Sequence, residues 1–303
     1  MASDLWPGYC RALLAASIAS AAKLFPGRGE AAPERVHSVR KTLKESRALA
    51  RLFLKSVGEP ARVSIASLAV IRRRVGQARD LDVMEARLGR LEPPPDIAEP
   101  LRAAIARDRA AAGRAHTALA ARTARTQLTA IGKRIEALDF SELADSDIVD
   151  AVTRTYRQAR ERGRIAFDCD DPAALHALRS RVVDLRYQLA ALSPAWPAAL
   201  SAQADELNEL RDTLGDFNDF HVLYRYAGER AGLSTAALSA LGERVEAKQK
   251  KLRRKAHVEF ERLFVEPPAA FSLRLAVWMK RPMETPRTES GKGGAPVQPT
   301  SAG

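Results

Sequence analysis

One predicted helix carries a row of cations, and these residues are the ones in the sequence best suited to bind a ligand. Residues 36–55 (VHSVRKTLKESRALARLFLK) place a histidine and six Lys or Arg side chains within an arc of about 120° on a helical wheel. The members of this basic stripe are His37, Arg40, Lys41, Lys44, Arg47, Arg51 and Lys55. Each turn rises ~5.4 Å, so the stripe extends over roughly 27 Å.

Repulsion within the stripe indicates what it binds. Like charges one turn apart destabilise a helix by a few tenths of a kcal/mol per pair. A helix that carries several such pairs is expected to face an anion whose charges repeat along its length. The alternative, a basic face that is only hydrated, stays open at this point.

The overall composition favours the same class of partner. The chain has 303 residues, of which 46% are apolar and 28% charged, so it can bury a core. Lys and Arg outnumber Asp and Glu by 49 to 37, and the pI is about 10.1, which indicates an anionic partner such as nucleic acid, an anionic membrane or another polyanion. No apolar run reaches the ~20 residues of a membrane span. Cys10 and Cys169 form no metal-type cluster, and we expect reduced thiols in a cytoplasmic protein.

Proline and glycine divide the chain into helical segments, and no segment alternates with the period of a strand, so the sequence predicts an all-α fold. A first helix is expected at about 3–24, and the second, which carries the basic stripe, is expected to end at Gly58. Further helices are expected at about 61–91, 97–137 and 145–163, and the last of these is expected to end at Gly163. Asp171 is the predicted N-cap of a sixth helix that starts at Pro172. A seventh ends near residue 230, an eighth covers about 234–265, and a short one falls at 268–281. Residues 284–303 are predicted to be a disordered tail.

The two halves of the chain share residues at one constant offset. His176 lies 139 positions after His37, and Arg179 and Arg186 follow Arg40 and Arg47 at the same distance. Arg211, Gly215 and Asp219 likewise match Arg72, Gly76 and Asp80. We infer an internal duplication of a four-helix bundle, with residues 1–140 as the N-terminal half and 141–283 as the C-terminal half.

Further cations are candidates for the same binding surface. Arg72 and Arg79 share one face of the third predicted helix, and Lys248, Lys251 and Lys255 share one face of the eighth. We expect Asp80 and Asp219 to pair with an arginine on a neighbouring helix and to orient it. The glycines before them indicate a close approach by another helix. No HxxH, HExxH or carboxylate cluster is present, so no metal, cofactor or catalytic residue is expected.

The paired motifs resemble the CHAD family (conserved histidine α-helical domain). HxxRxxxKxxR at 37–47 and LxxIRRRxGxxRDLDV at 68–83 carry the first half of the resemblance. HxxRxxxxxxR at 176–186 and LxxLxxxLGxxNDxxV at 207–222 carry the second. The resemblance implies two four-helix bundles related by a pseudo-two-fold axis, with basic helices facing a central cavity. Val183, Asp184 and Glu45 stand where the family commonly has Lys or Arg.

The resemblance also implies a ligand, inorganic polyphosphate, often at polyphosphate granules. The family's basic positions map onto His37, Arg40, Lys44, Arg47, His176, Arg179 and Arg186. Our hypothesis is a non-enzymatic polyphosphate-binding protein that needs no cofactor and has no membrane partner. Three alternatives remain: a nucleic-acid-binding protein, a metal-dependent phosphohydrolase or phosphotransferase, and a scaffold whose basic faces are only hydrated. The ExExK motif of the triphosphatase domain found in some family members does not occur.

Overall fold

The fold is all-helical throughout the residues that the computed structural model describes, which are 5–25, 33–74, 77–115, 118–140, 142–169 and 171–284. The N-terminal half contains α1 (Leu5–Leu24), α2 (Pro33–Ala50), α3 (Leu54–Val57), α4 (Glu59–Arg74), α5 (Gln77–Leu91), α6 (Pro95–Ala115) and α7 (Ala118–Glu136). The C-terminal half contains α8 (Asp145–Asp168), α9 (Pro172–Ala191), α10 (Pro197–Arg230), α11 (Thr235–Leu263) and α12 (Pro268–Met279). Within these ranges there is no strand.

Most helix boundaries agree with the punctuation in the sequence. A 3₁₀ turn at Arg51–Phe53 joins α2 to α3, and Gly58 then takes a left-handed φ of 66° that ends the segment. Asp171 caps α9 by accepting a hydrogen bond from the Ala173 backbone N–H at 2.8 Å. The predicted helix at 61–91 corresponds to α4 and α5, and that at 97–137 to α6 and α7, while residues 75–76 and 116–117 between them lie outside the described residues. The predicted tail, from residue 285 onwards, lies outside the described residues.

Gly163 does not end a helix, which corrects the sequence interpretation. Helix α8 continues to Asp168, and Gly163 lies inside it against the Phe260 ring of α11. A Cβ added to Gly163 would be 2.0 Å from Phe260 Cε2, closer than any real packing contact. The glycine therefore permits close helix packing.

Helix pairing is similar in the two halves. Helix α1 packs on α2 as α8 packs on α9, and α2 packs on α4 as α9 packs on α10. Helices α2 and α9 then pack against each other. The duplication stays a prediction, and this matched pairing is what it requires.

The apolar core extends across the predicted boundary at residue 140. The larger cluster includes Trp6, Leu43 and Leu128 from one side and Leu178 and Leu214 from the other. A second cluster joins α5 and α6 to α10 and α11. The two halves therefore stabilise each other through shared apolar burial.

The Phe260 contact gives a stability prediction. Gly163→Ala should lower the free energy of unfolding by about 1–3 kcal/mol, because the new methyl group overpacks the α8–α11 contact. Gly89→Ala in α5 is the matched control, since an added Cβ there meets nothing within 4 Å, and it should be neutral or stabilising by up to ~1 kcal/mol. Urea unfolding measures both, and a Gly163→Ala variant as stable as Gly89→Ala would contradict the packing argument.

Candidate functional site

A group of cations surrounds Lys44 where α2, α4, α9 and α10 meet. Burial, followed by the positive charges of its neighbours, lowers the pKa of the Lys44 ammonium to about 7. The neighbours that act on it are Arg179, Arg40, Arg72 and Arg211. We call these five residues the Lys44 cluster.

The arginines of the cluster have unused hydrogen-bonding capacity. The Nε atoms of Arg72, Arg179 and Arg211 are buried and have no hydrogen-bond partner. The same is true of Arg47 and Arg186, which flank the cluster on α2 and α9. An unpaired buried donor costs about 1–3 kcal/mol. These donors are therefore suited to an anionic ligand with several oxygen atoms.

Carboxylates hold part of the cluster in place. Arg40 Nη2 lies 3.1 Å from Asp80 Oδ1, which confirms that Asp80 pairs with an arginine of a neighbouring helix. Asp219 accepts a hydrogen bond from Arg87 at 3.1 Å, and its charge also acts on Arg179. The same expectation is thereby confirmed for Asp219. Burial raises the pKa of Asp80, while Arg40 and Arg72 oppose that shift.

The repeat-related residues converge on this place. Arg40 and Arg179 are related by the offset of 139 residues in the sequence, and both act on Lys44. Arg72 and Arg211 are a second such pair and do the same. Asp80 and Asp219 are a third, and Asp219 helps to raise the pKa of Asp80.

Gly215 lets Arg179 reach the cluster. A Cβ on Gly215 would lie 3.3 Å from Arg179 Nε, so a larger residue would press on the guanidinium. The expected close approach is therefore made by a side chain of α9. Gly76, the equivalent position, lies outside the described residues, and the side chain of Arg79 is not described.

Comparison with protein families identifies the family to which the chain belongs. The model of the CHAD domain matches residues 12–227. The chain belongs to the CHAD domain family. No curated protein matches the chain. Among solved structures, the fold of this CHAD chain is similar to that of PptA from Streptomyces chartreusis, with 18% sequence identity, a TM-score of 0.57 and coverage of 87% of this chain and 99% of that chain.

The acidic residues that depart from the CHAD pattern lie beside cations of the opposite half. Asp184 on α9 is 4% exposed and lies 3.2 Å from Arg51, in the 3₁₀ turn after α2, and 2.9 Å from Arg181 of its own helix. Glu45 on α2 is subject to the charges of Lys41 and Arg186, which oppose the rise that burial causes in its pKa.

The ends of the stripe differ from its centre. The Arg51 guanidinium, a predicted ligand-binding group, is already paired with the buried Asp184. His37 and Lys41 are exposed on α2. His176 Nδ1 lies 3.0 Å from Asn218 Oδ1, which joins α9 to α10. Neither Lys44 nor Arg72 forms an ion pair within 4 Å with any residue that the structure describes.

The lysines of α11 are not brought to the Lys44 cluster. Helix α11 touches α10 through Gln249 to Phe217 and Glu259 to Thr213. On a wheel of ~100° per residue, these α10 positions lie roughly opposite Arg211 and Gly215. Lys248, Lys251 and Lys255 therefore lie on a helix across α10 from the cluster, and Lys255 is 3.5 Å from Glu259. Their role in binding stays a prediction.

Sequence reasoning did not nominate Arg211, although the duplication contained the signal, because Arg211 is the equivalent of Arg72. The described part of the chain contains no group of three metal-ligating side chains. None of its helices is long and apolar enough to cross a bilayer.

Burial of Lys44 should reduce stability. Its pKa is about 7 in the folded chain and ~10.4 in an unfolded one. Between these values the unfolded state binds more protons, so stability increases with pH across this window. Lys44→Met should raise the free energy of unfolding at pH 7 by about 2 kcal/mol and remove this part of the pH dependence.

Urea unfolding of wild type and Lys44→Met at pH 7 and pH 9 checks this prediction. The advantage of the variant should shrink at pH 9, where wild-type Lys44 is already neutral when folded. Lys133→Met on α7, an exposed position, is the control for loss of one charge. A variant no more stable than this control would argue against a buried, uncompensated Lys44.

Proposed function

We propose that the protein binds inorganic polyphosphate through the Lys44 cluster and the adjoining cations of α2 and α9. The carrying observation is the convergence of four arginines from four helices around a lysine whose pKa is about 7. Membership of the CHAD domain family, which is associated with polyphosphate, supports the same ligand. A basic cavity between the halves and an association with polyphosphate granules are parts of this proposal.

The arginines supply the hydrogen bonds of the proposed site. Each buried Nε that lacks a partner can donate to a phosphate oxygen. The Nε atoms of Arg47, Arg72 and Arg186 are buried, so part of the freedom of these side chains is already lost before the anion binds. Lys44 contributes a point charge at the centre, and nearby phosphates raise its pKa and keep it protonated.

The proposed role is binding without catalysis. Asp80 and Asp219 are engaged with arginines, and this leaves them as orienting groups for the cations. The chain length of the polyphosphate would be limited by how many cations it can span along α2 and α9. Binding should release counterions and weaken with salt, as for other polyanions.

Removing charge from the centre of the cluster tests the site. The triple variant Lys44→Met, Arg47→Gln, Arg72→Gln should lower affinity for long-chain polyphosphate by at least a hundredfold at 0.15 M salt and reduce the salt slope, because about three phosphate contacts are lost. The control Arg125→Gln, Lys133→Gln, Arg134→Gln removes three charges from α7 and should lower affinity less than threefold. Filter binding across a salt series, with circular dichroism for helicity, measures both.

Two outcomes would count against the proposal. Equal losses in the two triple variants would mean that only net charge matters. Competition by single-stranded DNA at equal phosphate concentration would favour the nucleic-acid alternative. A third variant, Lys248→Gln, Lys251→Gln, Lys255→Gln, compares the α11 face directly with the cluster, and a loss as large as that of the central triple would place α11 in the site.

The titration of Lys44 gives the binding a pH dependence. Lys44 is half-charged near pH 7 in the free protein and is protonated when the anion is bound. Affinity should therefore fall as pH rises from 7.5 to 9, by up to about tenfold per unit for one proton. Lys44→Arg keeps its charge and should remove most of this slope, while a Lys133→Arg control should not. An unchanged slope in Lys44→Arg would show that another group titrates.

A further inference from the structure

An open pocket of about 380 Å³ lies where α3, α8 and α12 meet. Its volume is within the range of small-molecule sites, roughly 300–1,000 Å³. It shares no residue with the Lys44 cluster. The lining residues are Lys55, Asp150, Thr153, Arg154, Arg157, Pro268, Ala269 and Ser272. Two of the three elements belong to the CHAD match, but α12 follows the matched residues 12–227.

Three cations line this pocket, and Asp150 is the one acidic residue among its lining residues. Arg154 and Arg157 are one turn apart on α8, and Lys55 approaches from α3. Among the described residues, none of the three forms an ion pair within 4 Å. Like charges brought to one concave surface repel each other unless an anion binds between them.

A buried hydroxyl in the pocket also lacks a partner. Thr153 is 5% exposed, and its Oγ1 has no hydrogen bond. Thr155, two residues away on the same helix, uses its hydroxyl to donate to Ala151 O at 3.2 Å. Most buried hydroxyls are hydrogen-bonded, so a ligand group that accepts or donates at Thr153 Oγ1 would complete the site.

The N-terminus of α12 opens onto the same space. Pro268 is its first residue, and Pro267 provides no side-chain cap. Ala269 of the first turn lines the pocket. Backbone N–H groups at an uncapped helix start carry partial positive charge and bind phosphoryl oxygens.

Asp150 restricts the kind of anion that fits. Its carboxylate lines the pocket beside the cations, where it would repel a bare phosphate chain. The same carboxylate accepts hydrogen bonds from hydroxyl groups.

We propose that this pocket is a second binding site, specific for a small phosphate monoester that carries hydroxyl groups, of the sugar-phosphate class. Its phosphoryl group lies between Arg154, Arg157 and the start of α12, and its hydroxyls donate to Asp150.

Calorimetric titration of the full chain tests this site. Glucose 6-phosphate, inorganic phosphate and tripolyphosphate are the probes, and the central variant Lys44→Met, Arg47→Gln, Arg72→Gln is the background, which removes binding at the cluster. The ester should bind at least fivefold more tightly than inorganic phosphate. Arg154→Gln, Arg157→Gln should weaken ester binding at least tenfold, and Asp150→Asn should abolish the preference for the ester.

Two further variants separate the site from general charge effects. Arg125→Gln, Arg134→Gln removes the same charge from α7 and should leave ester affinity within twofold. Thr153→Val replaces the hydroxyl by a methyl group of similar size, so the fold is retained while ester affinity falls.

The outcomes distinguish this inference from the polyphosphate proposal, on which it does not depend. Arg154→Gln, Arg157→Gln in an otherwise wild-type chain should keep its polyphosphate affinity in filter binding. No saturable ester binding, or an equal loss in the α7 control, would overturn the second site. Tighter binding of inorganic phosphate or tripolyphosphate than of the ester would overturn the assigned ligand class.

Discussion

The structure depends on holding several like charges together at the seam between α2 and α9. Lys44 lies among them, and burial together with four arginines lowers its pKa to about 7. Such a group is stable only if the surrounding scaffold supplies the free energy. The apolar cluster that joins both halves does so, since α2 and α9 bury Leu43 and Leu178 in the same core from which their cations emerge. The cost of assembling the cations is therefore met during folding, and the proposed site is already formed in the free protein.

The two halves contribute unequally to that seam. The position equivalent to Lys44 is Val183, which packs with Ala48 and Tyr187 in a small apolar cluster. The position equivalent to Glu45 is Asp184, and each carboxylate lies beside cations of the other half. These carboxylates lower the net charge at the flanks, whereas Lys44 at the centre forms no ion pair within 4 Å in the described part of the chain. The charge is thus focused on Lys44 and the arginines around it.

The sequence was sufficient to predict the helices, because proline and glycine mark most of their ends. It also predicted the pairing of Asp80 with an arginine, through the charge types repeated at one offset. Gly163 was misinterpreted because a glycine that ends a helix and one that admits an aromatic ring are identical in sequence. Arg51 was assigned to the ligand, whereas the buried Asp184 that engages it is 133 residues away. Helix α11 contacts α10 at Thr213 and Phe217, and no local pattern in the sequence showed that α11 packs on this face and not on the face of Arg211.

The two proposed sites suit anions of different shape. Around Lys44, arginines from both halves lie on α2, α4, α9 and α10 and offer several donors, which suits a chain of similar phosphates. At α12, three cations, one hydroxyl and a carboxylate enclose a single compact space. The Asp150 carboxylate would weaken the binding of any anion that lacks hydrogen-bond donors. It would therefore select against a bare phosphate chain and in favour of a phosphate ester with hydroxyl groups. Because the cluster lies within the CHAD match and α12 lies after it, the second surface depends on a helix outside the part of the chain that defines the family.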